Sequence, residues 1–298
     1  MNITTPYGTL TNCQSIDYHT NGQPASCFLD KPLVLHTNLG DLTPAYDFGQ
    51  PRRKHIPSVK FYDDGTLQAI YLDKLEIIHT PCGIFTCEYI TFHRSGSLCR
   101  LFHLNGKISG YWSEEEELAL ATESQLELPW GALRAKIMTL HFDRLQNLAS
   151  ITLLPNTVIT VRTPIGDVRT RIGISFYPSG ALKSLEPAVP LQIRTPFGSI
   201  NAFDPIALGI IGDRNSLLFG ADGKLTGCKT CTTLKITNQD GETELIEPLE
   251  HISMCDDDIY VKQPHQLEWS DTALSVTAGD AIQTNRSFPL SQYSIAVI

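Results

Sequence analysis

A four-residue turn motif, Thr-Pro-x-Gly, recurs along the sequence and strongly limits what the chain can fold into. Proline fixes φ at the second position and glycine accepts a positive φ at the fourth, so the motif suits a type I turn closed by a bulge. Copies and close variants begin at Thr5, Thr37, Thr80, Leu128, Thr163 and Thr195. In every copy an apolar residue stands two positions before the first residue and two after the glycine. This period of two predicts hairpin strands with one buried face.

A second motif alternates with the first and consists of an aromatic residue, three further residues and a glycine. Its copies begin at Tyr18, Phe61, Phe92, Phe102, Phe176 and Phe219. Asn, Asp or Ser precedes each glycine, and such short polar side chains can hydrogen-bond the local backbone of a turn. The two turn classes predict an all-β fold of tandem β-hairpins that form an extended twisted sheet or a β-solenoid-like array. The apolar face of a single sheet must be shielded from water. Curling of the sheet, pairing of the two halves or formation of a homodimer would shield it.

The sequence also matches itself. Thr5 matches Thr163, an offset of 158 residues, and the same offset carries Gly65 onto Gly223. We interpret this as an internal duplication with a first half at 1–125, a bridging repeat at 126–158 and a second half at 159–298, or else one continuous domain. Each half contains an insertion at the same place, residues 44–57 and 202–215. Insertions of this length in a compact array are more often functional or disordered than neutral.

Two stretches require a choice between helix and strand. Residues 130–149 suit a helix by propensity, but the repeat pattern favours strands there, with Asn147 in place of the second turn's glycine. A helix is predicted at 113–123, because Ser113 can cap it and the glutamates of residues 114–117 suit the positive end of the helix dipole.

The aromatic-turn segments, most clearly Phe-His-Leu-Asn-Gly-Lys-Ile-Ser-Gly-Tyr-Trp at residues 102–112, resemble MORN-type hairpin repeats. They are most similar to the divergent form in bacterial antitoxin-like repeat proteins. The resemblance covers these segments only and has no counterpart of the Thr-Pro-x-Gly turn. It implies a meandering antiparallel sheet with a scaffolding or partner-binding role, and it brings no catalytic residue.

Charge and targeting signals exclude several classes of partner. The net charge is −9, and no stretch longer than the three residues 52–54 is rich in lysine or arginine, which disfavours nucleic acid and anionic membranes. The first residues lack the basic and apolar segments of an export signal, and no stretch approaches the length of a membrane span. A cytoplasmic location with reduced cysteines is therefore predicted.

No motif in the sequence indicates catalysis, a cofactor or a metal. Cys228 and Cys231 form a lone CxxC pair, whereas a zinc site needs four ligands. The acidic runs at 114–117 and 256–258 lack the spacing of a calcium loop, which favours solvated charge. We therefore predict no catalytic residue, no cofactor and no metal site.

Period two also predicts a row of outward-pointing side chains, each directly after a turn aromatic. This ladder comprises His19, Tyr62, His93, His103 and Tyr177. A second row precedes the first position of four Thr-type turns and would form a polar rim: His36, His79, Arg162 and Arg194. Equivalent residues of neighbouring strands lie about 5 Å apart, so the ladder could act as a recognition surface. The ordinary alternative is that tyrosine and histidine are tolerated on a half-exposed strand.

The leading hypothesis for function is a non-enzymatic cytoplasmic repeat protein that acts as a protein-binding scaffold. The alternative is a carbohydrate-binding protein or a hydrolase with its site in the insertions at 44–57 and 202–215. A concave pocket lined by convergent acids or histidines near the insertions would favour the alternative, and a broad flat patch would favour the scaffold.

Overall fold

The structure is a computed structural model that describes the chain except for residues 1, 50–51, 106–112, 208, 210–211, 253–259 and 279–284. It is nearly all-β, with one helix among the described residues. The chain divides into two compact units, residues 1–154 and 155–298, so most of the predicted bridging repeat lies in the first unit. Among the described residues, no helix has the length and apolar character needed to cross a membrane.

In its described residues, the first unit contains thirteen strands and the helix. They are β1 (Ile3–Thr5), β2 (Gly8–Leu10), β3 (Cys13–Tyr18), β4 (Pro24–Leu29), β5 (Leu35–Thr37), β6 (Gly40–Leu42), β7 (Val59–Phe61), β8 (Leu67–Thr80), β9 (Gly83–Phe92), β10 (Leu98–Phe102), α1 (Glu114–Leu120), β11 (Glu123–Leu128), β12 (Gly131–Phe142) and β13 (Leu148–Leu153). The main sheet has the order β3-β4-β7-β8-β9-β10-β12-β13, and each strand is antiparallel to the next. β11 pairs with the first half of β12, while β1–β2 and β5–β6 are separate hairpins.

The described residues of the second unit are likewise arranged mainly in antiparallel strands. Its strands are β14 (Ile159–Thr163), β15 (Gly166–Phe176), β16 (Leu182–Pro187), β17 (Leu191–Thr195), β18 (Gly198–Ala202), β19 (Leu217–Phe219), β20 (Leu225–Thr230), β21 (Leu234–Asn238), β22 (Thr243–Ile246), β23 (Leu249–Ile252), β24 (Tyr260–Gln263), β25 (His265–Trp269), β26 (Ala273–Ala278), β27 (Asn285–Pro289) and β28 (Tyr293–Val297). The main sheet has the antiparallel order β14-β15-β16-β19-β20-β25-β26-β27. The strands β17–β18, β22-β21-β28 and β23–β24 form small separate sheets.

The threonine of the first turn class has a structural role that the motif alone did not reveal. Thr5 Oγ1 donates to the carbonyl of Gly8 at 2.7 Å and accepts from the backbone N–H of Tyr7 at 3.1 Å. The same threonine-to-glycine bond forms at Thr37, Thr80, Thr163 and Thr195. The glycines of this class have φ between +106° and +133°, which side chains resist. The predicted hairpins are confirmed, but Thr5 pairs directly with Gly8 and Thr4 with Thr9 without a shift in register, so the predicted closing bulge was wrong.

The second turn class is equally regular. Gly22, Gly65, Gly96, Gly180 and Gly223 all have φ near +80°, and each N–H bonds the carbonyl three residues earlier. In the aromatic-type turn that follows Phe142, the residue with positive φ is Gln146 (+66°), so the assignment of this role to Asn147 was wrong. Gln146 lies four residues after Phe142, which is the same spacing as in the other copies.

The buried face follows the period of two. Every apolar residue that flanks a Thr-type turn is buried except the partly buried Ile3. Of the turn aromatics, Phe61, Phe92, Phe176 and Phe219 are buried, and Phe102 is partly buried. Tyr18 is 52% exposed, so its predicted inward orientation was wrong.

Both choices between helix and strand are confirmed. Residues 130–149 form β12 and β13, and the helix α1 begins after Ser113. Ser113 Oγ accepts from the N–H of Glu116, whose carboxylate accepts from the N–H of Ser113, which is a capping box. Residues 106–112 of the MORN-like segment and the acidic run at 256–258 lie outside the described residues.

Candidate functional site

Four of the five ladder residues reach from one aromatic-type turn to the backbone of a later one. The pairs are His19 Nε2 with Phe61 O at 3.0 Å, Tyr62 Oη with Phe92 O at 2.8 Å, His93 Nε2 with Phe142 O at 2.9 Å and Tyr177 Oη with Phe219 O at 2.8 Å. All four side chains are partly buried. Their polar atoms hold successive hairpins in register, and the ladder is therefore part of the framework of each unit.

His103 does not belong to an exposed ladder, because its side chain is fully buried. Its Nδ1 lies 2.8 Å from the carbonyl of Thr86, and its Nε2 accepts from the N–H of Thr122 at 3.3 Å. β10 ends at Phe102, so the alternation of the strand does not continue to His103. The predicted outward orientation of His103 was wrong for this reason.

We expect Tyr177→Phe to lower the free energy of unfolding by about 1 kcal/mol, because it removes one hydrogen bond to a carbonyl while the ring remains. Urea unfolding followed by circular dichroism measures this change. Tyr260→Phe is the matched control, since Tyr260 is 66% exposed. Equal stability of Tyr177→Phe and the wild-type chain would show that the bond to Phe219 does not hold the hairpins together.

The four rim residues are all exposed, and they lie on four different hairpins. His36 is paired with Asp41 of its own hairpin at 2.7 Å. His79 and Arg162 stand opposite Ile84 and Asp167 in their hairpins. Arg194 alone among the four lines one of the described pockets, a groove in the second unit.

Two arginines, Arg52 and Arg53, fasten the insertion at 44–57 to the sheet of the first unit, and Arg53 pairs with Asp73 of β8 at 3.0 Å. Arg52 donates through Nη1 and Nη2 to both carboxylate oxygens of Glu88, each at 2.7 Å. Its Nε and Nη2 donate to the two oxygens of Glu117 in α1, each at 2.9 Å. Because the side chain of Glu88 is only 8% exposed, the pair is strongly shielded from water. The carboxylates of Glu88 and Glu117 therefore hold the insertion at 44–57 in place.

The insertion at 202–215 covers a buried acid in the second unit. Glu186 is 1% exposed, and its two oxygens accept from the backbone N–H groups of Asp204 at 3.4 Å and Ser216 at 2.8 Å. Asp204 in turn pairs with Lys229 Nζ at 2.8 Å. Burial raises the pKa of Glu186 to about 7, and the charge of Asp204 adds to this, while hydrogen bonds from Ser216 oppose it.

The corresponding place in the first unit is aromatic. The offset of 158 residues matches Glu186 with Phe28, whose ring stacks on His55 with centroids 4.8 Å apart and meets Phe48 at 5.5 Å. His55 and Phe48 both belong to the insertion at 44–57. The two insertions thus cover the same position with opposite chemistry, apolar in the first unit and acidic in the second.

Three hairpin turns of the second unit border a groove of about 630 Å³, which we call the turn groove. They are the β17–β18, β19–β20 and β25–β26 turns. The lining residues are Arg194, Thr195, Pro196, Asp222, Lys224, Leu225, Thr226, Trp269, Ser270, Asp271 and Leu290. The Trp269 ring is held edge-on against Phe197 at 5.7 Å, and Lys224 is paired with Asp222 at 3.4 Å. The groove therefore combines a fixed aromatic ring with charges of both signs.

A smaller cavity of about 340 Å³ lies beside the insertion at 202–215. Its charged lining consists of Lys183, Asp213, Arg214 and Lys229, and Glu186 is not part of it. A substrate in the cavity would not reach the acid with the raised pKa.

The CxxC pair is split between core and surface. Cys228 is fully buried, which raises the pKa of its thiol to about 12, whereas Cys231 is partly exposed with Sγ 3.8 Å from the carbonyl of Lys262. The seven cysteines that the structure describes are all free thiols. In the described part of the chain, no three His, Cys, Asp or Glu side chains are grouped to hold a metal ion.

Comparisons with family models, with curated proteins and with solved structures find no match to this chain. The function must therefore be inferred from the residues of the chain itself.

Proposed function

We propose that this chain is a non-enzymatic β-hairpin repeat protein of the cytoplasm that binds a protein partner through the turn groove. One observation carries the proposal: Arg194 and Trp269 line the same groove. Arginine and tryptophan are the residue types that most often dominate protein interfaces, and the groove surrounds them with polar groups. Among the described contacts, no hydrogen bond or ion pair engages the Arg194 guanidinium, which is exposed.

A non-enzymatic role is supported by how the acids are used. The Glu88 oxygens are occupied by Arg52, those of Glu186 by backbone N–H groups, and Asp204 pairs with Lys229. A general acid or base must come within hydrogen-bonding distance of the substrate. Buried carboxylates whose oxygens already serve the fold are poorly suited to that task.

The repeat origin belongs to the same proposal. His19 bonds the carbonyl of Phe61, and Tyr177 bonds the carbonyl of Phe219. The offset of 158 residues carries one pair onto the other, which supports an internal duplication of hairpins similar to MORN repeats. Free thiols support a reducing compartment such as the cytoplasm.

The test is affinity capture from native extract with the wild-type chain and with Arg194→Glu and Trp269→Ala. Both variants are expected to reduce recovery of the specific partner at least about tenfold, as for central interface residues. Arg162→Glu is the matched control, because Arg162 holds the same place before a turn threonine in another hairpin. Full recovery with both groove variants, or equal loss with the control, would contradict a site in the turn groove. Light scattering on the same variants shows whether the partner is a second copy of the chain.

A carbohydrate is a second candidate occupant, favoured by Trp269 beside Asp271 and Arg194 in the groove. A sugar ring can stack on an indole, while a carboxylate and a guanidinium hydrogen-bond its hydroxyls. Isothermal titration calorimetry with a panel of neutral hexasaccharides tests this candidate. A binding isotherm that Trp269→Ala abolishes would favour it over the protein partner.

A further inference from the structure

The cavity of about 340 Å³ beside the insertion at 202–215 is lined on one side by a single register row of the second unit's sheet. Lys229 is opposite Gln266 in the pairing of β20 with β25. Gln266 is in turn opposite Thr277 of β26, and Thr277 is opposite Asn285 of β27. Directly paired residues lie on the same face of a sheet, about 5 Å apart. All four line the cavity, and we call them the polar row.

The polar row lies on the face of the sheet that points away from the core. The adjacent register row consists of Cys228, Leu267 and Val276, which are paired with one another and are at most 2% exposed. Successive residues of a strand point to opposite faces of the sheet. The hydrogen-bonding groups of the polar row are therefore open to a molecule that enters from solvent.

Two cations of the cavity have no ion pair or hydrogen bond among the described contacts. Lys183 and Arg214 both line the cavity, and both are exposed. The Lys183 ammonium lies 5.9 Å from the centroid of the Tyr177 ring, a contact that uses none of its N–H groups as hydrogen-bond donors to oxygen. Both side chains thus keep donors for a ligand.

The lining is positive although the chain is negative. Lys183, Arg214 and Lys229 stand against the single carboxylate of Asp213, whereas the net charge of the chain is −9. Lys229 is already paired with Asp204, so the charge available to a ligand comes mainly from the other two cations. A cleft lined by one sign of charge concentrates ligands of the opposite sign.

The three cations are not a requirement of the repeat fold. The offset of 158 residues matches Lys183, Arg214 and Lys229 with residues that carry no charge, which are Ala25, Ile56 and Tyr71. Ala25 lies in β4 and Tyr71 in β8, so the first unit forms the matching strands without these cations. Their presence in the second unit points to a role other than hairpin formation.

A buried amide at the cavity has an acceptor without a donor. Asn215 lines the cavity and is 2% exposed. Its Nδ2 donates to Ser184 Oγ at 2.7 Å and to the carbonyl of Gly212 at 3.0 Å, but no donor among the described residues bonds its Oδ1. Buried acceptors of this kind are rare in folded proteins. A hydroxyl group is the kind of donor that the site lacks.

We propose that this cavity binds a small sugar phosphate. The forked donors of the Arg214 guanidinium suit the oxygens of a phosphate monoester, and Lys183 adds a second positive charge. The polar row and Asn215 supply amide and hydroxyl groups for the hydroxyls of the sugar. The volume lies at the lower end of the roughly 300–1,000 Å³ of small-molecule sites, which suits one sugar ring and not a polymer.

The test is isothermal titration calorimetry of the full-length chain at about pH 7.5, where a phosphate monoester is largely a dianion. The probes are glucose 6-phosphate, fructose 6-phosphate and ribose 5-phosphate, with glucose and inorganic phosphate as the separate halves of the ligand. At least one sugar phosphate is expected to bind at least about tenfold more tightly than either half. No binding of any of the three at millimolar concentration would overturn the proposal, and so would equal affinity for inorganic phosphate.

Variants locate the binding in the cavity. Arg214→Gln and Lys183→Gln should each weaken the affinity for the sugar phosphate about tenfold, because each removes a charged donor. Lys235→Gln is the matched control, since Lys235 is an exposed lysine of β21 in the same unit and does not line the cavity. Unchanged affinity in both cavity variants, or an equal loss in the control, would contradict the proposal.

Folding of the variants and the proposed protein partner do not confound this test. Lys183 and Arg214 are exposed, so both variants should keep the circular dichroism of the wild type. Should one of them fail to fold, the other and the wild-type comparison with glucose and inorganic phosphate decide. The cavity shares no lining residue with the turn groove, so loss of the protein partner in Trp269→Ala should leave sugar-phosphate binding intact.

Discussion

Replacing Gly173 with alanine is expected to lower the free energy of unfolding by about 3 kcal/mol, at the upper end of the usual overpacking cost. Gly173 lies in a bulge of β15, where the register with β16 shifts between Arg171 and Ile174. A Cβ at this position would lie 2.4 Å from the Cα of Gly212 and 2.8 Å from its carbonyl oxygen. These are backbone atoms of the insertion at 202–215, so the whole loop must move.

Gly209→Ala is the matched control within the same insertion. A Cβ there would meet the Ile172 side chain at 3.8 Å, which is an ordinary contact, and stability should change by no more than about 0.5 kcal/mol. Urea unfolding measures both variants. Similar stability of Gly173→Ala and the control would mean that the insertion does not pack against β15. Ile172 itself has φ of +60°, a rare conformation for a β-branched residue, so the bulge already stores strain where the loop docks.

The second large effect is a loss of stability with rising pH that originates at Glu186. Its folded-state pKa of about 7 lies above the ordinary value of 4.5, so the folded protein binds a proton that the unfolded chain releases. This contribution is fully present below pH 4.5 and is lost as the pH rises through 7. At about 1.4 kcal/mol per pKa unit, the free energy of unfolding should fall by about 3 kcal/mol across that range.

Glu186→Gln should remove this pH dependence and make the protein more stable than the wild type at pH 8. The amide oxygen keeps the 2.8 Å bond from the N–H of Ser216, and no charge has to be buried. Glu247→Gln is the control, because Glu247 is exposed in the same unit. Denaturant midpoints between pH 4.5 and pH 8 measure the effect. Parallel pH profiles of Glu186→Gln and the wild type would show that Glu186 stays ionised in the folded protein.

Much of the architecture could be predicted because its signals are local. Proline and glycine define each turn within four residues, and period two identifies the buried face of its strands. The capping box at Ser113 is equally local. In the other described aromatic-type turns the residue with positive φ lies four positions after the aromatic residue. Counting four positions from Phe142 would have identified Gln146, whereas the preference of asparagine for this conformation pointed to Asn147.

The polar sites could not be predicted, because their partners are distant in sequence. Period two places Tyr177 on the outer face, but it does not show that the hydroxyl reaches the carbonyl of Phe219. Glu186 lies on β16 and is buried under the insertion at residues 202–215. The sequence of β16 alone does not show this burial. The only available signal was the insertion itself, which the repeat comparison identified in both halves.

The side chains that link successive turns all point one way along the chain. His19, Tyr62, His93 and Tyr177 each contact the aromatic residue of a turn that comes later in the sequence. During synthesis from the N-terminus, the side chain of each pair is therefore made before the backbone carbonyl to which it hydrogen-bonds. The array therefore has a direction, because each of these four bonds can form only after the later turn has been synthesised.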